Sequence, residues 1–354
     1  DNNISEEAET DNKLVVFRLE FQNKYIETVC DYVINSLLDF TIDNNLFKNE
    51  LNSVVEELNE IINDTNYDFE SYINTILYKN HCRSISQKER LKNIKNIKES
   101  EVLDFHNKYV NSKNMIISFI GNFDKDKLLK ILKRLDKPSF SKKQIVYKST
   151  KINIPKRVYY FKNSKDVCNL RIIFRCNVNF FDDIYYQIYA LIYILTNDLD
   201  SLMLKKLRAI EGLIYYISGD MDLDEQNNEL SNITFSTSVD NSNLVNVIKN
   251  IMIIIDSIKK DFIETNYIQK YKQFLLIKKQ KHTFQKNPEE ILNEYSIYSL
   301  WNKKILTQEQ EYKEFNNISK KSLKDTANKI FDFKNMIIFY DGNKNYKNII
   351  NKII

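Results

Sequence analysis

The chain has 354 residues, of which 43% are hydrophobic and 28% are charged, and its net charge at pH 7 is +4. These values are typical of a globular protein, and the length favours two domains. A net charge this small does not predict nucleic-acid binding, for which a concentrated basic surface is expected. No apolar run approaches the roughly 18 residues of a membrane-spanning helix, so the sequence predicts no membrane span.

Apolar periodicity predicts the elements of the first 137 residues. Residues 1–12 are acidic and are expected to be flexible. Strands are predicted for residues 13–21 and 115–120, and helices for 26–38, 41–62, 69–78, 100–109 and 124–135. Residues 138–155 are polar and rich in Lys and Ser, which makes them the predicted linker.

The elements predicted after the linker follow an irregular order. Strands are predicted for residues 157–161, 170–175, 213–217, 228–239 and 336–340, and helices for 182–196, 201–211, 244–262, 267–283, 288–300 and 319–331. Helices come in pairs between strands, which does not fit a parallel βαβ series. The order favours the α+β class, with a mostly antiparallel sheet layered with helices.

The sequence also repeats itself over a long distance. The segment Lys-Asn-Met-Ile-Ile at residues 113–117 returns at 334–338, and in each copy Gly-Asn follows after three more residues. The offset is 334 − 113 = 221 residues, and at an offset of about 218 residues 14–21 match 233–239. A spacing this long indicates two copies of one domain, because solenoid repeats are only tens of residues long. We therefore predict two tandem homologous lobes, residues 1–137 and 156–354.

The two copies are not equally complete. The second copy contains residues 156–231, which have no counterpart in the first copy. Ahead of Leu14 the first copy has only a polar segment. We expect that the first lobe lacks its N-terminal third, through processing or through evolution.

The cysteines and histidines do not predict a metal site. No cysteines have C-x-x-C spacing and no histidines have ligand spacing; these residues are Cys30, Cys82, Cys168, Cys176, His81, His106 and His282. A zinc site takes three or four ligands, and no Ser–His or Cys–His nucleophile pair can be argued. Free thiols are expected, which favours a reducing compartment such as the cytoplasm, with an organelle matrix as the alternative.

Two carboxylates stand seven residues apart on the helix predicted for 41–62. Glu50 and Glu57 are separated by two turns and therefore lie on the same side of that helix. Tyr271 and Lys278 stand at the corresponding positions of the second copy, so the pair belongs to one copy only. From the spacing alone, ordinary surface acids and a metal or acid–base role both stay open.

An arginine and a tyrosine of the second copy are also seven residues apart, like the two glutamates of the first. Arg208 lies near a predicted helix end, Gly212 is a stop signal, and Tyr215 begins the next strand. This arrangement brings Arg208 and Tyr215 to one edge of the sheet. A surface arginine and a packed tyrosine are the alternative interpretation.

Three segments carry a resemblance to a known family. Residues 50–58 are similar to an E-x₆-E helix, residues 207–215 to an L-R-E-x-x-G-L-A-Y segment, and residues 114–122 to an N-M-x₅-G-N strand. These are motifs of the insulinase/pitrilysin-type metallopeptidases, the inverzincins, which include relatives of mitochondrial processing peptidase. The resemblance covers nearly the whole chain and implies tandem lobes, each a sheet layered with helices.

The resemblance also implies roles for the candidate residues. Glu57 would be a zinc ligand with Glu50 supporting it, while Arg208 and Tyr215 would hold the backbone of a peptide substrate. The family's H-x-x-E-H helix supplies two zinc ligands and the general base, and this sequence lacks it. We therefore expect the chain alone to be inactive and not to bind zinc, because a lone carboxylate cannot hold and activate a zinc-bound water.

Three functions remain open at this stage. The chain is part of a zinc peptidase that cleaves extended peptides, or a non-catalytic subunit that binds peptide for a catalytic partner. In the second case the peptide would add a strand to a sheet edge. The third possibility is a structural subunit, as in the family's respiratory-complex relatives.

Overall fold

The computed structural model describes residues 4–11, 13–64, 67–137, 140, 156–261, 263–280 and 286–354. It confirms the α+β class. The contacts divide the chain into two compact units: the first comprises Asp1–Thr75, His81–Lys148 and Asn287–Lys304, and the second comprises Ile76–Asn80, Ser149–Lys286 and Ile305–Ile354. Apart from Phe140, the predicted linker 138–155 lies outside the described residues.

The described strands and helices follow in chain order. The strands are β1 Ser5–Thr10, β2 Val15–Glu20, β3 Val158–Lys162, β4 Val167–Arg175, β5 Ile214–Asp222, β6 Asn232–Asp240 and β7 Met336–Gly342. The helices are α1 Ile26–Leu38, α2 Asn44–Ile62, α3 Tyr67–Leu77, α4 Gln87–Ile94, α5 Glu99–Tyr109, α6 Lys125–Leu132, α7 Tyr185–Thr196, α8 Leu202–Leu204, α9 Leu244–Lys260, α10 Thr265–Gln280, α11 Pro288–Leu300, α12 Gln308–Asn316, α13 Lys320–Ile330 and α14 Lys347–Ile350. Within the described residues, none of these helices combines the length and the apolar character that crossing a membrane requires.

The first unit pairs one hairpin with helices. Strands β1 and β2 are antiparallel, with Ser5 opposite Glu20 and Thr10 opposite Val15. The acidic segment that was expected to be flexible therefore forms β1 where it is described. Helix α11 belongs to this unit, although it lies far along the chain in the sequence.

The second unit is built on a five-stranded mixed sheet. The strand order is β3-β7-β4-β6-β5, in which β3 runs parallel to β7 and the other neighbours are antiparallel. Strand β5 lies at one end of this order. The sheet is thus mostly antiparallel, as the sequence predicts.

Alternation along the strands explains the core of the second unit. In β4 the side chains of Cys168, Leu170, Ile172 and Phe174 are buried on one face of the sheet, since successive side chains of a strand point to opposite faces. Helix α7 is apolar almost throughout and belongs to the same core as α9 and α13. This layer of helices on one sheet face is the arrangement that the sequence predicts.

One predicted strand is wrong. Residues 115–120 form no strand, whereas their repeat counterpart, β7, is a fully buried strand. Strand β7 pairs with β3 and β4, and both of these come from the part of the second copy that the first copy lacks. Residues 115–120 are as apolar as β7, but the described residues of the first unit contain no counterparts of β3 and β4 with which they could pair.

Candidate functional site

The segment that carries Arg208 and Tyr215 is a helix end followed by a strand. Helix α8 continues as a π-helix over Lys205–Ile210, which widens the last turns. Gly212 then takes a φ of 61°, in the left-handed region that favours glycine. The Leu213 N–H donates to the Leu207 carbonyl at 2.8 Å, closing the helix, and β5 begins at the next residue. Single π turns of this kind occur frequently at functional sites.

Arg208 and Tyr215 are in direct contact. The guanidinium carbon lies 4.7 Å from the centroid of the Tyr215 ring, which is the geometry of a cation–π interaction. Tyr215 is 76% exposed, and Arg208 is half-buried. The sequence prediction that these two residues meet at an edge of the sheet agrees with this geometry.

The charge of Arg208 is not neutralised by a described carboxylate. Glu211 is the nearest acid in the sequence, but it accepts from Lys206 at 2.7 Å and from Asn250 at 2.9 Å. Among the described residues, Arg208 forms no ion pair. Its N–H groups are therefore available to a carbonyl or carboxylate acceptor.

Strand β5 is irregular beside this pair. Ile214 lies opposite Val239 and Ile217 lies opposite Thr237, so three steps along β5 match two along β6. The extra residue makes a β-bulge at Tyr215 and Tyr216, both of which are exposed. On its other side β5 has no neighbouring strand within the described chain. We call that side the β5 edge.

A row of polar side chains runs across the sheet from the bulge. The Tyr216 hydroxyl lies 3.4 Å from that of Ser238, and Ser238 donates to Asn169 at 3.0 Å. Asn169 in turn donates to the carboxylate of Asp341 at 2.9 Å. No sequence signal identified this row, because its members come from four different strands and are common residue types.

Two thiols at the ends of β4, Cys168 beside this row and Cys176 just after the strand, are buried and are not nucleophiles at neutral pH. Burial, and then the Asp341 carboxylate, raise the pKa of Cys168 to about 12. Burial likewise raises the pKa of Cys176 to about 12. Only the thiolate is reactive, so neither residue fits a catalytic cysteine.

Glu50 and Glu57 are both exposed on α2. The helix starts at the Asp43 cap, whose carboxylate accepts from Asn45 N and Leu46 N at 2.9 Å. Seven residues correspond to about 10 Å along the axis, which is too far for both carboxylates to reach one ion at about 2 Å. The roles that the resemblance implies for these two residues stay predictions.

The described residues do not fit a zinc site. They contain no group of three His, Cys, Asp or Glu side chains that could hold a metal ion. His81 caps a turn by accepting from Arg83 N at 3.2 Å, and His106 stacks on Phe40 with ring centroids 4.2 Å apart. His282 lies outside the described residues. No chemical step through a metal is therefore assigned to this chain.

A second cluster lies at the far end of β5. The Tyr78 hydroxyl donates to Asp222 at 3.1 Å and accepts from Asn232 at 3.1 Å. The Arg175 guanidinium lies over the Tyr78 ring at 5.5 Å, and burial lowers the pKa of Arg175. These contacts attach residues 76–80 to the sheet of the second unit, and no sequence signal indicated them.

Comparison with known proteins identifies the class and then the family. A mixed sheet layered with helices is the fold of the M16-like structures to which the chain is similar. The sequence profile described as the peptidase M16 inactive domain matches residues 96–275, which is 275 − 96 + 1 = 180 of 354 residues. The chain belongs to this M16 peptidase family, so the predicted insulinase/pitrilysin-like membership is confirmed.

Solved structures support the same fold. The chain is similar to a peptidase M16 inactive domain from Pseudomonas fluorescens, with a TM-score of 0.80, 12% identity, and coverage of 97% of this chain and 82% of that chain. It is similar to a protease from Helicobacter pylori, with a TM-score of 0.77, 14% identity and coverage of 96% and 82%.

A chain of complex III2 from Candida albicans is also similar, with a TM-score of 0.74, 10% identity and coverage of 99% and 86%. At these identities the likeness shows the fold alone. A comparison with curated proteins gave no match.

Proposed function

We propose that the chain is a non-catalytic member of the M16 family that binds extended peptides along the β5 edge. The observation that carries this proposal is the contact between Arg208 and Tyr215 at the start of an unpaired, bulged strand. The role fits a subunit that takes part in zinc-dependent proteolysis or peptide processing while the metal is held by other residues.

The chemistry of an extended peptide matches this edge. A strand that adds to a sheet edge is held by main-chain hydrogen bonds, and β5 offers nine residues of such edge. Arg208 carries N–H donors that no described acid occupies, and these suit the carbonyls of a peptide backbone. Tyr215 keeps the guanidinium oriented by lying against it.

In this proposal a partner, and not this chain, carries out the zinc-dependent cleavage of the peptide. The described residues include no set of three metal-binding side chains, and a lone Glu57 cannot activate a water. Arg208 and Tyr215 would then act on peptide that a partner cleaves. Glu57 and Glu50 remain the ligand and the supporting residue of the alternative in which this chain forms part of the peptidase itself.

A structural subunit is the second candidate. Its support is the similarity to a chain of complex III2, which spans 99% of this chain with a TM-score of 0.74. This candidate expects a stable assembly that forms and persists independently of peptide.

Peptide binding by the purified chain tests the proposal. Fluorescein-labelled unstructured peptides, long enough to pair along the nine residues of β5, are titrated with the chain while anisotropy is recorded. We expect Arg208→Ala and Tyr215→Ala each to raise Kd by about tenfold, a loss of about 1.4 kcal/mol. Arg90→Ala and Tyr32→Ala are matched controls, because both residues are exposed and lie in the first unit.

The results separate the candidates. Binding that depends on Arg208 and Tyr215 but not on the controls supports the peptide-binding role. Absence of binding, or an equal loss in controls and test variants, contradicts it. A partner peptidase whose activity falls on Arg208→Ala supports action in trans, whereas unchanged activity with Arg208→Ala and with Tyr215→Phe argues for the structural role.

A further inference from the structure

Strand β5 carries opposite charges near its two ends. At its start Arg208 lies 4.7 Å from the Tyr215 ring and, among the described residues, forms no ion pair. Asp220 follows Tyr215 by five residues, which is about 16 Å along an extended strand. The side chain of Asp220 is exposed, and it has no cationic partner in the part of the chain that the structure describes. The β5 edge is therefore positive at one end and negative towards the other.

The charge of Asp220 is not balanced by its neighbours. Its carboxylate accepts from the Ser218 hydroxyl at 3.3 Å, and across the ladder Asp220 lies opposite Thr234 of β6. Both of these neighbours are neutral. Asp222 differs, because its carboxylate accepts from the buried Tyr78 hydroxyl at 3.1 Å and so helps to attach residues 76–80. Asp220 is thus the acid of β5 that an arriving cation can pair with most directly.

The polar face of β5 presents the side chains that can select a peptide. Successive side chains of a strand point to opposite faces, so Asp220 shares one face with Ser218, and Gly219 lies on the other. A Cβ added at Gly219 would stand 2.7 Å from Thr196 Oγ1, which places α7 directly on this part of the strand. Met221, on the same side as Gly219, packs against the core. An extended peptide beside β5 therefore meets the charge of Asp220 on the polar face.

We infer that the peptide held at the β5 edge carries a lysine or arginine at the position opposite Asp220, an inference that rests on the proposed function. Residues directly opposite each other on antiparallel strands have Cβ atoms about 4.5–5.5 Å apart on the same face. A strand that adds antiparallel to β5, as β6 does on its other side, would bring a cation at this position to the Asp220 carboxylate. The substrate class is an extended peptide with a basic residue about five positions from the segment that Arg208 holds.

Three matched peptides test the inference with the full chain. Each is a fluorescein-labelled, amidated peptide of nine alternating Thr and Val residues, the length of β5, with Thr, Lys or Glu at the central position. Alternation in the host keeps the central side chain on the same face as the other threonines. We expect the Lys peptide to bind about threefold more tightly than the Thr peptide and the Glu peptide about threefold more weakly, as for exposed charge pairs. The difference should shrink at about 1 M salt, which screens such charges.

Three variants of the chain locate the source of this preference. Asp220→Asn keeps the shape of the side chain and should bring the ratio of the Lys and Glu affinities from about tenfold to about one. Asp220→Lys should reverse the preference, because the Glu peptide then meets a cation. Asp261→Asn is the matched control, since Asp261 is an exposed aspartate just after α9, and it should keep the tenfold ratio.

The outcomes separate this inference from the proposed function. An unchanged ratio in Asp220→Asn, or an equal change in Asp220→Asn and Asp261→Asn, would overturn the inference, because the preference would then come from overall charge. If all three peptides bind equally and their binding falls in Arg208→Ala, the inference fails while the peptide-binding role stands. If none of the three peptides binds, both fail. Reversal of the preference in Asp220→Lys, with the control unchanged, supports the inference.

Discussion

Gly121 and Gly342 lie 342 − 121 = 221 residues apart and adopt the same backbone angle, a φ of 140°. Only glycine reaches this conformation readily. Gly342 ends the strand β7, whereas Gly121 follows a segment that is not a strand. The repeat has therefore kept the same backbone conformation at this glycine in both copies, although the strand pairing around it differs.

The two glycines should respond differently to alanine. A Cβ at Gly121 would meet no atom within 4 Å, so Gly121→Ala adds only backbone strain, about 1–2 kcal/mol. A Cβ at Gly342 would overlap the side-chain oxygen of Asn241 and approach Cys168 Cβ to 3.2 Å. Overpacking adds about 1–3 kcal/mol to the strain. Urea unfolding of both variants measures the difference, and equal losses would contradict this account.

The stability of the second unit should fall at alkaline pH. The pKa values of Cys168 and Cys176 are raised to about 12 by burial, compared with 9.0 for an ordinary thiol. The unfolded chain therefore loses these protons first, so the stabilisation is complete below about pH 9 and is lost as the pH rises towards 12. Urea unfolding between pH 8 and about 10.5 should show a shallower decline for Cys176→Ala than for the natural protein.

Cys82→Ala is the matched control for that experiment, because the Cys82 thiol is exposed. Its pH dependence should follow that of the natural protein. An unchanged slope for Cys176→Ala would show that other groups govern the alkaline decline.

Loss of one hydroxyl should loosen the attachment of residues 76–80. Tyr78→Phe removes the bonds to Asp222 and Asn232, while Asn232 keeps its bond to the Leu230 carbonyl at 2.7 Å. We expect a loss of about 1–2 kcal/mol in the free energy of unfolding. Tyr32→Phe, at an exposed position, should change it by less than about 0.5 kcal/mol. Similar effects of the two changes would argue against a structural role for the Tyr78 hydroxyl.

A positive charge at position 208 should not be sufficient for peptide binding. Arg208→Lys keeps a cation but loses the planar group that lies against Tyr215 and donates from several N–H groups. We expect unfolding free energies within about 0.5 kcal/mol of the natural protein, together with peptide binding about as weak as for Arg208→Ala. Full peptide affinity in the lysine variant would show that the site needs only a positive charge.

Local sequence signals predicted the local parts of this molecule. The α+β class, the strand β7 and helices such as α1 and α11 follow from periodicity and repeats, and the placement of Arg208 and Tyr215 follows from a helix end, a glycine stop and the strand after it. The strand predicted for 115–120 failed because strand formation depends on distant partners, and the counterparts of β3 and β4 are not among the described residues of the first unit.

The missed features of the site have a common cause. The bulge at Tyr215 and Tyr216, the π-helix before it and the row from Ser238 to Asp341 all arise from contacts between strands or from packing. Asparagine and serine are frequent here, so their positions carried no signal. The roles predicted for Glu50 and Glu57 rest on a helix that this sequence lacks and stay predictions.

The membership of Asn287–Lys304 in the first unit has a consequence for synthesis on the ribosome. Helix α11, which bonds to Arg18 and Ser118, emerges long after the other helices of that unit. From residue 148 to residue 304 the ribosome must add 304 − 148 = 156 residues, which takes on the order of 10–30 s at typical rates. During that delay the nascent first unit lacks helix α11 and cannot complete its packing. Its exposed apolar surface is then largest, and we expect chaperones to bind it at that stage.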